Sequence, residues 1–411
     1  MKILFFIDPV IYQNDGMFFA PHVNFVRCLI NANLSDDVHY ALATSPWLLD
    51  EYQTLVSAHG GQADIELLPL NPVSILSGVG FETTANSVDM FSPQPGNAAY
   101  RALITELRSR FEPDVVICST ENPYIAEVFA DRVVLYHDMS HIRRTDGTYN
   151  LYLDPCGHDG RNILNACKAE ILDQAGDDAV FSRLALEHQT ALFGGVEAMQ
   201  ARLAFRDWRR QAGLEGERIA LVALQPVGPL LSVEGAWEGR STAAFLTHSL
   251  AALPPGWKAV VSHHPADETL HRLAPYVAQC FEQSRQPPPE IFSKGSDPLV
   301  PEFDAIISIS SKVGLLGVLC GKPVISLGLS GHHRYCGRRV EDLDQTEPLA
   351  PAAIGRLVRF MSNRYYFTFE ELFTRPGFVF DLIRSIGAYP DPRRWQLDFS
   401  DWTPERLARL Y

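Results

Sequence analysis

The sequence predicts an α/β protein made of two doubly wound parallel-sheet domains. Three observations predict it. Short apolar runs alternate with helical stretches in both halves of the 411 residues. The alternation lapses before residue 213 and restarts at Ile219. The stretch Pro301 to Gly331, PEFDAIISISSKVGLLGVLCGKPVISLGLSG, reads as strand, tight turn, buried helix and second strand.

In the first half, strands are expected at 3–7, 38–44, 65–68, 114–118 and 132–136, with helices at 18–32 and 100–111. Residues 70–98, rich in Ser, Gly, Pro and Asn, read as a long irregular excursion. TYNLYLDPCGHDG, 148–160, reads as a loop, and 162–208 as a long helical region broken at Gly194-Gly195. The second half predicts strands at 219–224, 257–262 and 290–293, and helices at 241–253 and 267–284. In the organising stretch, Ser310 and Ser311 read as a helix N-cap, 313–320 as an apolar and therefore buried helix, and Gly321 and Pro323 as its stop. The expected division is a first domain at 1–212, a second at 213–375, and a tail at 376–411 that packs back on the first.

Composition bounds the function. The chain is 46% hydrophobic and 20% charged, ordinary for a globular protein. A formal charge of −14 argues against a nucleic-acid partner. Seven cysteines without paired spacing suggest free thiols in a reducing cytoplasm. The apolar run of MKILFFIDPV ends at Asp8-Pro9, so it reads as a first strand and not as a signal peptide, and no stretch reaches a membrane span. A cytoplasmic protein is expected, with peripheral membrane or assembly-complex association left open. No metal is expected: HExxH and paired cysteines are lacking, and no strand leads into the acidic cluster 341–344.

Ligands of doubly wound sheets collect beyond the carboxyl ends of the strands. That rule draws notice to Asp8, Ser119, Thr120, Glu121, His137 and Asp138 in the first half. In the second it marks Gln225, His263 and His264, Lys294, and the turn with Ser308, Ser310, Ser311 and Gly314. A helix start behind a strand, flanked by hydroxyls and a glycine, presents free N–H groups and a positive dipole end to a phosphate. Each feature also has an ordinary reading: a serine cap, histidines ending a strand, a solvated lysine, exposed carboxylates.

ALVALQP at 220–226, SHHP at 262–265, FSKGS at 292–296 and ISISSKVGLLGVLCGKPVISLG at 307–328 together resemble the bacterial β-Kdo transferases of capsule and O-antigen synthesis. The resemblance implies the GT-B architecture, two Rossmann-like domains facing a central cleft with a C-terminal helical segment crossing back. It implies a CMP-activated acidic sugar, Kdo, as donor and a glycan or glycolipid as acceptor, with no further cofactor. His264, before Pro265, is implied to contact the donor phosphate, as are Ser310, Ser311 and the backbone around Gly314. The family's retaining members carry an Asp nucleophile shortly after the Leu-Gln motif. Residues 225–234 here read QPVGPLLSVE, and Glu234, the one carboxylate among them, is the candidate for a displaced nucleophile or a base. This departure leaves the stereochemical course and the donor sugar open. Glu121, Asp138 and Asp154 are candidate acceptor-side bases. The competing readings are a transferase using another CMP- or UDP-sugar, a nucleotide-sugar epimerase, and an inactive scaffold of the same architecture.

Overall fold

The structure is a computed structural model, described here for residues 1–9, 16–32, 37–59, 65–71, 98–145, 148–225, 242–262, 281–293, 295–375, 377–389 and 391–411. The excursion at 72–97, most of the helix expected at 267–284, and Glu234, His263, His264 and Lys294 lie outside these residues.

The chain forms two compact units. The first comprises 1–140, 149–158 and 364–401, and the second 141–148, 159–363 and 402–411. In the first unit, β1 (Lys2–Phe6), β2 (His39–Thr44), β3 (Ile65–Pro69), β4 (Val115–Cys118), β5 (Val133–Arg143) and β6 (Tyr149–Asp154) join one sheet. In the second, β7 (Arg218–Ala223), β8 (Trp257–Ser262), β9 (Ser284–Arg285), β10 (Ala305–Ser308) and β11 (Val324–Ser326) form another. A last two-residue strand, β12 (Tyr366–Phe367), pairs antiparallel with β6.

The orders are β12-β6-β5-β4-β1-β2-β3 and β11-β10-β7-β8-β9. Numbered within its own unit, each parallel set therefore runs 3-2-1-4-5, the doubly wound order. Pairing is parallel from β3 through β2, β1 and β4 to β5, and throughout the second sheet. Strands covered on both faces must be apolar on both. Accordingly β4 is buried at every position, and β1 and β7 at all but the first. Chain order reverses between β1 and β4 in one unit and between β7 and β10 in the other. Each reversal opens a crevice at the carboxyl edge.

Three expectations change. TYNLYLD is a strand: Leu151 and Leu153 enter the core, while Asn150, Tyr152 and Asp154 form a buried polar face. The polar alternation resembles a loop only because this second face is buried without being apolar. Residues Pro289–Phe292 form a 3-10 turn and not a strand. Three consecutive prolines, Pro287 to Pro289, lack the N–H groups a ladder requires. The division of the chain also differs. The helices Asp178–Phe193 and Val196–Gln211 belong to the second unit, and residues 364–401 to the first, so the divides near 212 and 375 are not those of the structure. Phe367, Leu372, Val379, Phe380, Leu382, Ile383 and Ile386 complete the first unit's core.

Helix Asp178–Phe193 is fixed to the second unit by close backbone contact with helix Pro351–Phe360. A Cβ on Gly355 would lie 1.9 Å from the carbonyl oxygen of Phe181. The guanidinium of Arg356 donates to the Gln174 carbonyl at 3.0 Å, and Gln174 Nε2 donates back to the Arg356 carbonyl at 2.9 Å. Because a backbone atom opposes the added carbon, Gly355→Ala is expected to destabilise the protein by about 1–3 kcal/mol or more. Urea unfolding measures this; an unchanged midpoint would contradict the packing.

Candidate functional site

Among the described residues at the β7/β10 crevice, one side chain ties the two strand ends together. Gln225, two residues past β7, accepts the backbone N–H of Ser310 at 2.9 Å through Oε1 and donates Nε2 to Ser310 Oγ at 3.2 Å. Its own carbonyl accepts from Thr242 Oγ1 at 3.1 Å. Gln225 therefore acts as a clamp that fixes the end of β10.

Ser310 and Ser311 are half-buried past β10, followed by the helix Val313–Leu319, buried throughout as expected. The expected serine cap is not formed. The cap position is Lys312, without a side-chain hydrogen bond, and Gly314 N donates to the Ser311 carbonyl at 2.9 Å. The chain enters this helix through a tight 3-10 turn, which leaves both serine hydroxyls out of the capping. Ser308 is fully buried at the end of β10.

Gly314 is a glycine for a packing reason. A Cβ there would lie 2.3 Å from Nε2 of His332, a fully buried ring. Burial, with the neighbouring His333 charge, pushes His332 down to about 3, so it packs as a neutral ring. The loop bearing it is fixed from several sides. Ser326 Oγ lies within hydrogen-bond distance of the Ile309 and Gly328 carbonyls and of Ser330 Oγ. Asn162 Nδ2 donates to the Gly331 carbonyl and Asn165 Nδ2 to the Ser330 carbonyl, each at 3.0 Å. These asparagines, more than 160 residues away in sequence, carry no local signal that would identify them.

The carboxyl edge of the first unit is more polar. At the β1/β4 crevice, Tyr100 donates its hydroxyl to Asp8 Oδ2 at 2.6 Å, and Asn122 Nδ2 donates to the same oxygen at 3.1 Å. Asn122 Oδ1 meanwhile caps the helix Pro123–Val128, accepting from Tyr124 N and Ile125 N. Burial and the Asp8 charge hold the Tyr100 hydroxyl well above its ordinary value. Alongside, Glu121 Oε1 accepts the His158 backbone N–H at 2.9 Å, and His158 Nε2 lies 3.3 Å from Asp138 Oδ2. His137 stacks on Phe25, with ring centres 3.7 Å apart, and its Nδ1 lies 3.2 Å from His22 Nδ1. Burial, then the charge of His22, drives His137 well below its ordinary value.

The structure thus joins Glu121 and Asp138, two expected bases, through His158. The third, Asp154, sits in a different network. It is fully buried, accepts from Cys156 N at 2.8 Å and Gly157 N at 3.4 Å, and accepts the Tyr365 hydroxyl at 3.0 Å. Such a carboxylate holds a turn. Sequence reasoning missed Tyr100, Asn122, His22 and His158; the last was legible only once residues 149–154 were read as a strand ending near it.

Among the described residues, no three His, Cys, Asp or Glu side chains gather as a metal site, and no helix is long and apolar enough to cross a membrane.

A pH dependence follows from His332. Between its ordinary 6.5 and its native value of about 3, the unfolded chain binds a proton that the native chain excludes. Stability from this group is complete above pH 6.5 and is lost as pH falls, by about 1 kcal/mol per pH unit. In His332→Gln, the slope of unfolding free energy between pH 6 and 5 should shrink by about that amount. An unchanged slope would show that the ring titrates freely.

Comparison with known proteins places the family signal on the second unit. Residues 210–334 match the family described as capsule polysaccharide biosynthesis protein. No curated protein matches the chain. Among solved structures, KpsC of Thermosulfurimonas dismutans, a β-Kdo 2,7 transferase, is 11% identical, with 84% of this chain and 99% of that one covered at a TM-score of 0.42. UDP-GlcNAc 2-epimerase of Neisseria meningitidis, bound to UDP-GlcNAc, is 12% identical over 86% and 96%, at a TM-score of 0.34. Anabaena Alr3699/HepE, in complex with UDP-glucose, is 12% identical over 95% and 100%, at a TM-score of 0.35. The likeness to capsule polysaccharide biosynthesis proteins therefore rests on residues 210–334, the segment that builds the β7/β10 crevice and carries all four motifs singled out in the sequence.

Proposed function

We propose that this protein is a glycosyltransferase of capsule polysaccharide synthesis. It would transfer Kdo or a similar acidic sugar from a CMP-activated donor to a glycan or glycolipid acceptor. The observation that carries this reading is one coincidence. The family-matched segment, the ALVALQP and ISISSKVGLLG motifs, and the clamped β7/β10 crevice are the same part of the molecule.

In this reading the donor nucleotide lies along the carboxyl edge of the second sheet. Ser310, Ser311 and the first turn of helix Val313–Leu319 face its phosphate, with Gln225 fixing their position. An acceptor hydroxyl attacks the anomeric carbon as the bond to the phosphate oxygen breaks, and CMP departs as a phosphate monoester. His264, from the motif SHHP, stabilises that departing charge and supplies a proton. Lys294 adds positive charge toward the donor, and Glu234 is the carboxylate nearest in sequence to the absent family aspartate. Glu121 and Asp138, linked through His158, are the acceptor-side bases. The missing aspartate favours one second reading, a scaffold of the same architecture that binds partners without turnover.

A ligand that binds only the native state raises its stability by mass action, about 2.7 kcal/mol at a concentration of 100 Kd. CMP should therefore raise the melting temperature more than UDP does; equal or absent shifts would contradict a CMP-linked donor. With a CMP-sugar and acceptor, His264→Ala should lose about 10²–10³ in turnover while retaining its fold, and His263→Ala should lose less. Equal activity of the two variants would remove His264 from the donor site.

A further inference from the structure

The run His332 to Arg339, HHRYCGRR, holds two histidines and three arginines and no carboxylate, in a chain of net charge −14. Its position is fixed. Gly337 makes a parallel bridge with Ile325, so the run passes along β11 toward the carboxyl edge. There the Arg338 guanidinium donates to the carbonyls of Leu327 and Gly328. Those two residues are themselves bonded to the end of β10, Leu327 N to the Ser308 carbonyl at 2.9 Å and Gly328 N to the Ile309 carbonyl at 2.8 Å. Arg338 is therefore braced next to the strand end that Gln225 clamps.

Two more cations belong to this run or bond to it, Arg334 and Lys168. Lys168 Nζ donates to the Arg334 carbonyl at 2.7 Å and lies over the Tyr335 ring, 5.2 Å from its centre. Burial lowers the His333 pKa, and the charges of Arg338 and Arg334 both lower it further. Arg338 and Lys168 both act on the Cys336 thiol against the effect of its burial. Among the described residues none of the three makes an ion pair, although 16 arginine–carboxylate pairs occur elsewhere in the described residues. Two of the five N–H donors of Arg338 are used on carbonyls, which orients its plane and leaves the others available. Gathered like charges repel unless an anion joins them, and an oriented guanidinium suits a planar or tetrahedral oxyanion.

We propose that Lys168, Arg334 and Arg338 form an oxyanion site at the rim of the β7/β10 crevice, taking the carboxylate or phosphate of an acidic sugar nucleotide. The site itself stands on this geometry; its occupant rests on the glycosyltransferase reading. An acidic sugar nucleotide carries both groups, and the test separates them.

The full chain is titrated with inorganic pyrophosphate, CMP and free Kdo, reading melting temperature and calorimetric Kd. Arg334→Gln is the main variant, because its guanidinium makes no hydrogen bond among the described residues and the change leaves the loop's own bonds in place. Arg338→Lys keeps the charge and removes the fork. Pyrophosphate should stabilise the native chain, and Arg334→Gln should weaken anion binding about tenfold, the loss of one charge-assisted contact. Weakened CMP binding assigns the phosphate. Weakened Kdo binding with CMP unaltered assigns the carboxylate. Stabilisation by pyrophosphate or Kdo, lost in the variants, with no response to any nucleotide would keep the site and defeat the glycosyltransferase reading. No response to any of the three anions, or equal binding in both variants and the native chain, would overturn the site.

Discussion

The reversal of strand order between β7 and β10 is the constraint on which the second unit's chemistry depends. At that point the two strands send their following segments to opposite faces of the sheet, and backbone groups at the strand ends lose their ladder partners. Gln225 meets this need with both ends of its amide, serving Ser310 N and Ser310 Oγ together. The clamp leaves the turn into helix Val313–Leu319 fixed in place with its serines half-open. What holds the strand end also fixes the surface a ligand would meet. The glycine at 314 and the histidine at 332 extend the same logic one layer inward, since the neutral ring fills the space a side chain would take.

The first unit has the same strand order and a different solution. Its reversal, between β1 and β4, is filled by Asp8, Tyr100 and Asn122, with a row of histidines beside them. Desolvation is the main force there. It holds His137 neutral and keeps the Tyr100 hydroxyl protonated.

Much of the fold was legible because parallel strands buried on both faces read as apolar runs wherever they occur. The unit β10, buried helix, β11 was visible for that reason, and so was Gln225, which directly follows such a run. What stayed hidden was non-local. Strand β6 carries Asn150 and Asp154 on a face whose burial only the folded chain reveals. The divide between units follows the packing of Phe181 against Gly355, some 170 residues apart, and not the restart of alternation at Ile219. Asn162 and Asn165 hold a loop far along the chain, and nothing near them in sequence says so. The serine cap failed for a local reason: a 3-10 entry satisfies the first turn with backbone alone.

In the proposed reading the nucleotide is held at the clamped carboxyl edge of the second sheet. Hydrogen–deuterium exchange with and without CMP tests it directly, because a bound phosphate slows exchange of the amides it covers. Slower exchange is expected in the segment 308–316 and at 224–225, with the strands of the first sheet unchanged. Protection confined to the first unit, or none in 308–316 at saturating CMP, would contradict it.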